Sequence, residues 1–262
     1  MARYLDGIVA AHRAAAASDD RSFTSLLEAA AEAPPARPFA AALRGDDGVA
    51  VIAELKRRSP SRGELAPGLV AADAARSYQA GGAAALSVLT DVEFFGGSPS
   101  DLVEARAATS LPVLRKDFTV DRRDVVDARL MGADAVLLIV AALGDDELPA
   151  LVALADEIGL DALVEVHDEA EVARALAAGA TLVGVNQRDL TTFVVDADRA
   201  QRLATRLPPD VVRVAESGIG GPHDVARLGD AGYDAVLVGE WLVTSADPGA
   251  AVRALRHGIV RA

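Results

Sequence analysis

The segments QAGGAAALSVL (79–89), LMGADAVLLIV (130–140), AAGATLVGVN (177–186) and DAGYDAVLVG (230–239) share one grammar. Each closes a helical stretch, turns at glycine and enters a short run rich in Val and Leu. Gly81, Gly132, Gly179 and Gly232 stand where a helix C-terminus needs a left-handed residue, a conformation open to glycine. Working outward, four more β-rich runs appear: VAVIAEL (49–55), PVLRK (112–116), ALVEV (162–166) and VVRVAE (211–216). With AALSVL (84–89), AVLLIV (135–140), LVGVN (182–186) and AVLVG (235–239) they make eight. Stretches rich in Ala, Leu, Arg and Asp separate them. Eight strands alternating with helices, with no GxGxxG after the first, predict an α/β (β/α)8 TIM barrel rather than a doubly wound open sheet.

The first 45 residues lie outside this repeat. They hold two Ala-rich helical stretches broken by Pro34, Pro35 and Pro38. Ile8, Val9, Phe23, Leu26, Leu27, Phe39 and Leu43 supply an apolar face, so an N-terminal helical segment packed on the barrel is expected, not a disordered tail. No linker marks a second unit, and residues 1–262 read as a single barrel domain with residues 1–45 as its extension.

Composition limits the function. Hydrophobic residues make up 51% of the chain and aromatics only 4%, so the core is built from Ala, Val and Leu. The absence of cysteine excludes disulfides and thiol catalysis. A net charge of −13 without a basic cluster argues against nucleic-acid binding, because Lys and Arg contacts to phosphate supply most of that affinity. No apolar run is long enough to span a membrane, and Met1 is not followed by a signal-like pattern, so a cytoplasmic protein is expected. No obligatory protein partner is evident. A small phosphorylated ligand remains compatible with the acidity if backbone amides and a few cations hold it.

Only two lysines occur among 26 basic residues, and both close predicted strands: Lys56 ends VIAELK and Lys116 ends LPVLRK. Arginine stays protonated in proteins, whereas a buried ammonium can be tuned to exchange its proton. Residues two apart on a strand share a face, so Glu54 goes with Lys56, Lys116 with Leu114, and Asn186 with Gly184 and Arg188. Glu165 closes the fifth run and Glu216 the seventh. Barrel active sites form at the C-terminal ends of strands, and these residues converge there. Each has a structural alternative: an ion pair for Glu54 and Lys56, a helix cap for Glu165, a turn former for Asn186, a loop-amide acceptor for Glu216. Clustered ionisable groups cost desolvation and push one another's pKa values apart, which favours the catalytic reading.

Glycine-bearing loops follow the last two runs, ESGIGGP (216–222) and VGEWL (238–242). Glycine lets backbone N–H groups approach an anion, and barrels often bind phosphate there; the alternative is a tight turn alone. The long basic loop RRSPSRGEL (57–65) reads as a lid over an anionic ligand, although Arg57, Arg58 and Arg62 could equally be surface charges. Of the adjacent Phe94 and Phe95, one is expected to face the mouth, where a phenyl ring suits a ring-bearing substrate.

The ordered set IAELKRRSPSRG, LSVLTD, FFGGS, PVLRKDF, ADAVLLI, LVEVH, VGVNQRDL, VAESGI and VLVGE resembles the indole-3-glycerol phosphate synthases of tryptophan biosynthesis, over roughly residues 4–257. The resemblance implies ring closure of 1-(2-carboxyphenylamino)-1-deoxyribulose 5-phosphate, with loss of carbon dioxide and water and with no metal or organic cofactor. It implies Lys116 as the general acid on the ribulose carbonyl and Glu165 as its acid or base partner in dehydration. Lys56 is implied as a second cation, with Glu54, Asn186, Arg188 and Glu216 orienting the substrate and the lysines. Ser59 belongs to the same substrate-binding set. Ser217, Gly218, Gly239 and Glu240 are implied to hold the phosphate, and Phe95 to pack on the anthranilate ring. Trp241 departs from the family pattern, which usually has a small residue there, and His167 reads as a supporting residue behind Glu165. A phosphoribosylanthranilate isomerase would instead need an Asp paired with Cys or with a second Asp, and a non-catalytic barrel would have no use for Lys116 and Glu165.

Overall fold

Among the described residues (4–45, 48–60 and 62–257) of the computed structural model, eight parallel strands close on themselves. They are β1 (Ala50–Leu55), β2 (Ala85–Leu89), β3 (Val113–Lys116), β4 (Ala135–Ile139), β5 (Asp161–Val166), β6 (Leu182–Asn186), β7 (Val212–Glu216) and β8 (Ala235–Val238). Each strand pairs with its neighbours in sequence, and β1 pairs with both β2 and β8. Every predicted run is a strand, with ends that differ by at most a residue. The barrel is the (β/α)8 fold read from the repeat.

Alternation sorts the strand residues into two cores. Ile52, Leu114, Leu163, Leu182, Val214 and Leu237 point inward and fill the barrel. Val51, Ala53, Val88, Val136, Val164, Val183 and Val236 point outward and pack under the helices. Burial on both faces accounts for the nearly continuous apolar runs. The inward rows turn polar toward the C-terminal ends. Ile52 is followed by Glu54 and Lys56, Leu114 by Lys116, Leu163 by Glu165, Leu182 by Gly184 and Asn186, and Val214 by Glu216. The same period of two that fills the barrel thus lays its charged groups across one mouth.

The N-terminal extension comprises α1 (Tyr4–Ala17), α2 (Phe23–Ala31) and α3 (Phe39–Ala42). It runs along the outside of the barrel from one end to the other. Near the mouth Arg13 forks onto Glu147 at 2.7 and 2.8 Å. Farther along the chain, Arg129 donates to the carbonyls of Ala33 and Pro34. At the far end Phe39 and Leu43 are fully buried in the barrel-interior cluster and plug it.

Two expectations need correction. Gly132, Gly179 and Gly232 have φ of 85°, 84° and 91°, but in the first repeat the left-handed residue is Gly82 (φ 87°), not Gly81. Gly81 remains in the helix α4 (Ala71–Gly81), where a Cβ would come within 2.5 Å of the Gly249 carbonyl oxygen. Its glycine serves close packing against α12, which we number after the remaining helices: α5 (Pro99–Ala108), α6 (Arg122–Leu130), α7 (Glu147–Glu157), α8 (Glu169–Ala177), α9 (Arg199–Ala204), α10 (Pro222–Asp230), α11 (Glu240–Val243) and α12 (Pro248–His257). The second correction concerns the 57–65 loop. Its ends form a two-stranded antiparallel hairpin, Arg58–Ser59 with Gly63–Glu64. Two of its arginines are committed to structure: Arg57 forks onto Asp101 at 2.5 and 2.7 Å, and Arg58 donates to the carbonyls of Val92 and Glu93. No helix among the described residues is long and apolar enough to cross a membrane.

Candidate active site

A cavity of about 920 Å³ opens at the C-terminal ends of the strands. The sequence-derived catalytic and binding candidates line it: Glu54, Lys56, Lys116, Glu165, Asn186 and Glu216 on its floor, with Ser59, Phe95, Arg188, Ser217, Gly218, Gly239 and Glu240 around them. Lys116 sits at the centre. Its Nζ donates to Glu216 Oε2 at 2.6 Å and to Glu165 Oε2 at 3.1 Å. Lys56 is held apart from it, paired with Glu54 Oε1 at 2.7 Å. The ion-pair alternative for Glu54 and Lys56 is therefore real, and the pair also faces the cavity.

The local sequence explains this placement. Gly184 stands one strand away from Glu216, and a Cβ there would overlap Glu216 Oε1. At Gly239 a Cβ would come within 2.5 Å of Glu54 Oε1 and 3.1 Å of Lys56 Nζ. Both glycines, Gly184 within β6 and Gly239 just past β8, leave the volume that a neighbouring charged side chain occupies. Asn186 fixes Glu165 from the other side. Its Nδ2 donates to Glu165 Oε1 at 3.1 Å, while its Oδ1 accepts the Arg188 backbone N–H at 3.0 Å.

The two carboxylates beside Lys116 are driven apart electrostatically. Burial raises the pKa of Glu165, but the charges of Lys116 and His167, with the Asn186 hydrogen bond, outweigh it and leave the carboxyl below its ordinary value. Burial also raises Glu216, and the neighbouring Glu165 and Glu54 add to it; Lys116 does not compensate, and the group is pushed up to about 7. Glu216 Oε1 is buried without a hydrogen-bond partner, which is consistent with a carboxyl held near its protonated form. Burial alone would lower Lys116, yet Glu216, Glu165 and Glu54 together raise it, so its ammonium is fully charged. His167 lies behind Glu165, with Nε2 3.5 Å from Glu165 Oε1 and Nδ1 3.0 Å from Glu171 Oε2. Burial disfavours its charge, but both carboxylates raise it above its usual value.

The raised Glu216 pKa has a consequence for stability. The folded state binds this proton more tightly than the unfolded chain, so the stabilisation it brings is full below the ordinary carboxyl value of 4.5 and is lost as pH rises through about 7. Glu216→Gln is therefore expected to be more stable than the parent at pH 8, on the order of 3 kcal/mol at most, with a much smaller gain at pH 4. Thermal unfolding of both proteins at the two pH values checks this; equal differences at both would contradict it.

The walls divide into two chemistries. On one side stand Phe95, Phe118, Leu89 and Ile139. Phe95 faces the cavity and Phe94 does not, as one of the two was expected to. Phe118 was missed in the sequence, although it lies two residues beyond Lys116 and the same alternation points to it. On the other side are the loops after β7 and β8. Ser217 and Gly218 both adopt left-handed backbone, with φ of 66° and 71°, which turns the chain sharply at the strand end. The first turns of α10 and α11, entered at Gly221 and Gly239, have no side-chain cap. Arg62 Nε reaches Glu240 Oε1 at 3.1 Å, linking the hairpin to this wall and neutralising the carboxylate next to it. Trp241 also lines the cavity while packing partly against the outer core.

Comparison with known proteins identifies the family. Residues 5–255 match the family model of indole-3-glycerol phosphate synthase. A Streptomyces coelicolor protein named indole-3-glycerol phosphate synthase 2 is 54% identical over 235 residues, covering 90% of this chain and 91% of that one. An indole-3-glycerol phosphate synthase of a Nocardioides species is 55% identical over 251 residues, covering 95% and 96%. Among solved structures, a 3-hexulose-6-phosphate synthase superposes with a TM-score of 0.66 at 17% identity, over 81% of this chain and all (100%) of that one, a likeness of fold alone. The matched motifs, their extent and the lysine-centred mouth separate the chain from the isomerase alternative. The chain belongs to the indole-3-glycerol phosphate synthase family.

Proposed function

We propose that the protein closes the indole ring of 1-(2-carboxyphenylamino)-1-deoxyribulose 5-phosphate, releasing carbon dioxide and water, in a cytoplasmic setting. The observation that carries the residue roles is Lys116 Nζ, shared between Glu165 and Glu216 on the floor of the cavity. The ring carbon bearing the carboxylate attacks the ketone carbon. The ketone oxygen takes a hydrogen bond and then a proton from Lys116. Loss of carbon dioxide leaves its electron pair in the ring and restores aromaticity. The new hydroxyl then departs as water with a proton supplied by the acid form of a neighbouring carboxyl, and the adjacent methylene gives up a proton to form the indole double bond. Two acid–base groups with pKa values driven apart suit these two opposite transfers, and Glu165 and Glu216 have that property. Lys56 faces the same space and attracts the substrate's anionic groups.

The anthranilate ring is assigned to the Phe95 and Phe118 wall. The phosphate is assigned to the backbone of Ser217, Gly218, Gly239 and Glu240, supported by the uncapped first turns there. Crystals soaked in inorganic phosphate are expected to hold the anion between 217–221 and 239–241. An anion found only at Arg58 and Arg62 would contradict the assignment.

A further inference from the structure

His12 belongs to the N-terminal extension, outside the barrel, yet its ring reaches the cavity wall. Nε2 lies 3.1 Å from Asp91 Oδ2 and 3.9 Å from Asp117 Oδ1. Asp91 is 6% exposed, and its other oxygen, Oδ1, accepts the backbone N–H groups of Phe94 at 2.6 Å and Phe95 at 3.0 Å. One carboxylate therefore ties the histidine to the turn that carries Phe95. A second route runs through rings. The His12 and Phe118 centroids are 5.6 Å apart, and those of Phe118 and Phe95 are 6.1 Å apart. Asp91, Phe95, Asp117 and Phe118 all line the cavity.

We propose that His12 is a positioning residue for substrate binding: by clasping Asp91 and packing at a tilt against Phe118 it aims the Phe95 and Phe118 rings at the aromatic ring of the substrate. The idea rests on the reading that this wall takes the anthranilate ring. It makes helix α1 a working part of the ring subsite and gives the extension a function beyond packing.

The surroundings of His12 set how the clasp responds to pH. The hydrogen bond it donates to Asp91 raises its pKa, burial opposes, and the charges of Asp117, Asp91 and Asp124 add to the rise. On the far oxygen of Asp117, Oδ2, Arg115 Nη2 donates at 3.0 Å and Thr90 Oγ1 at 2.5 Å. Protonated His12 thus meets a net negative environment. As pH rises through its raised pKa the ring becomes neutral. It can still donate one hydrogen bond to the Asp91 carboxylate, but the attraction between opposite charges is gone, so the clasp weakens.

The test measures steady-state kinetics with the ribulose substrate for the parent, His12→Ala, His12→Gln, Phe95→Ala and Arg13→Ala. Arg13 is the control for α1 docking, because it anchors the same helix to Glu147 away from the rings. His12→Ala is expected to raise KM about tenfold with kcat within about threefold of the parent, the size expected when a buried carboxylate loses a charged partner. His12→Gln recovers part of the loss, Phe95→Ala raises KM similarly, and Arg13→Ala changes it less than about twofold. The His12→Ala penalty in KM shrinks between pH 6 and pH 9. If Phe95→Ala left KM unchanged, the ring-site reading would fall and the proposal with it. A raised KM for Phe95→Ala, beside an unchanged KM for His12→Ala or an equal penalty for Arg13→Ala, would overturn the role of His12 alone. A penalty that stays constant with pH overturns the charged clasp.

Discussion

Lys116→Arg is expected to lose about a hundredfold to ten-thousandfold in kcat while folding normally, the range seen when a positioned general acid is removed. The guanidinium preserves the positive charge and can still bond to Glu165 and Glu216, so the buried carboxylates are not left unpaired. What it cannot do is release a proton at working pH, nor place a single compact donor on the ketone oxygen. The resting geometry makes this demand sharper. With two carboxylates on its Nζ, Lys116 holds its proton more tightly than a free lysine, which makes it a poor acid in that state. The nearly protonated Glu216 offers the remedy: when that carboxyl is neutral, one of the two anions restraining the lysine is gone. Proton release from Lys116 and protonation of Glu216 are therefore coupled. Steady-state kinetics with circular dichroism as a folding control measure the effect. A kcat within about threefold of the parent would remove Lys116 from the proton-transfer step.

Glu165→Gln is expected to have a loss of similar size, about a hundredfold to ten-thousandfold in kcat. The amide keeps the shape, and its oxygen can still accept from Asn186 Nδ2 or Lys116 Nζ, so folding should survive. It cannot take or give a proton at neutral pH. Because Glu165 is held below its ordinary value, the parent carries it as a carboxylate across the neutral range, ready to act as a base. The single-turnover rate of the variant, with product read by indole fluorescence, separates this from a binding defect. Full turnover with an increase in KM alone would assign Glu165 to binding.

The barrel and the floor of the cavity were legible because both obey the same period. Alternation that buries Leu114 inside the barrel also aims Lys116 into the mouth, and the rule carries Glu54, Glu165, Asn186 and Glu216 with it. Phe118 was equally legible on that rule and was overlooked in favour of Phe94 and Phe95. The rest was hidden by distance in sequence. Nothing near Arg57 indicates that its partner is Asp101, 44 residues away, so a structural ion pair looked like part of a lid. The contact between His12 and Asp91 spans 79 residues and depends on how α1 lies along the barrel. Gly81 and Gly82 are adjacent, and only packing against α12 decides which of them stays helical.

The central claim is a lysine-centred site that joins decarboxylation to ring closure. The most direct test is one assay of the purified protein with the ribulose substrate, following carbon dioxide and indole fluorescence together. Both are expected to appear in equal amounts with the parent and to collapse in Lys116→Arg, while Arg13→Ala retains them. Parent protein that forms no indole product, or a Lys116→Arg variant that forms it at the parent rate, would contradict it.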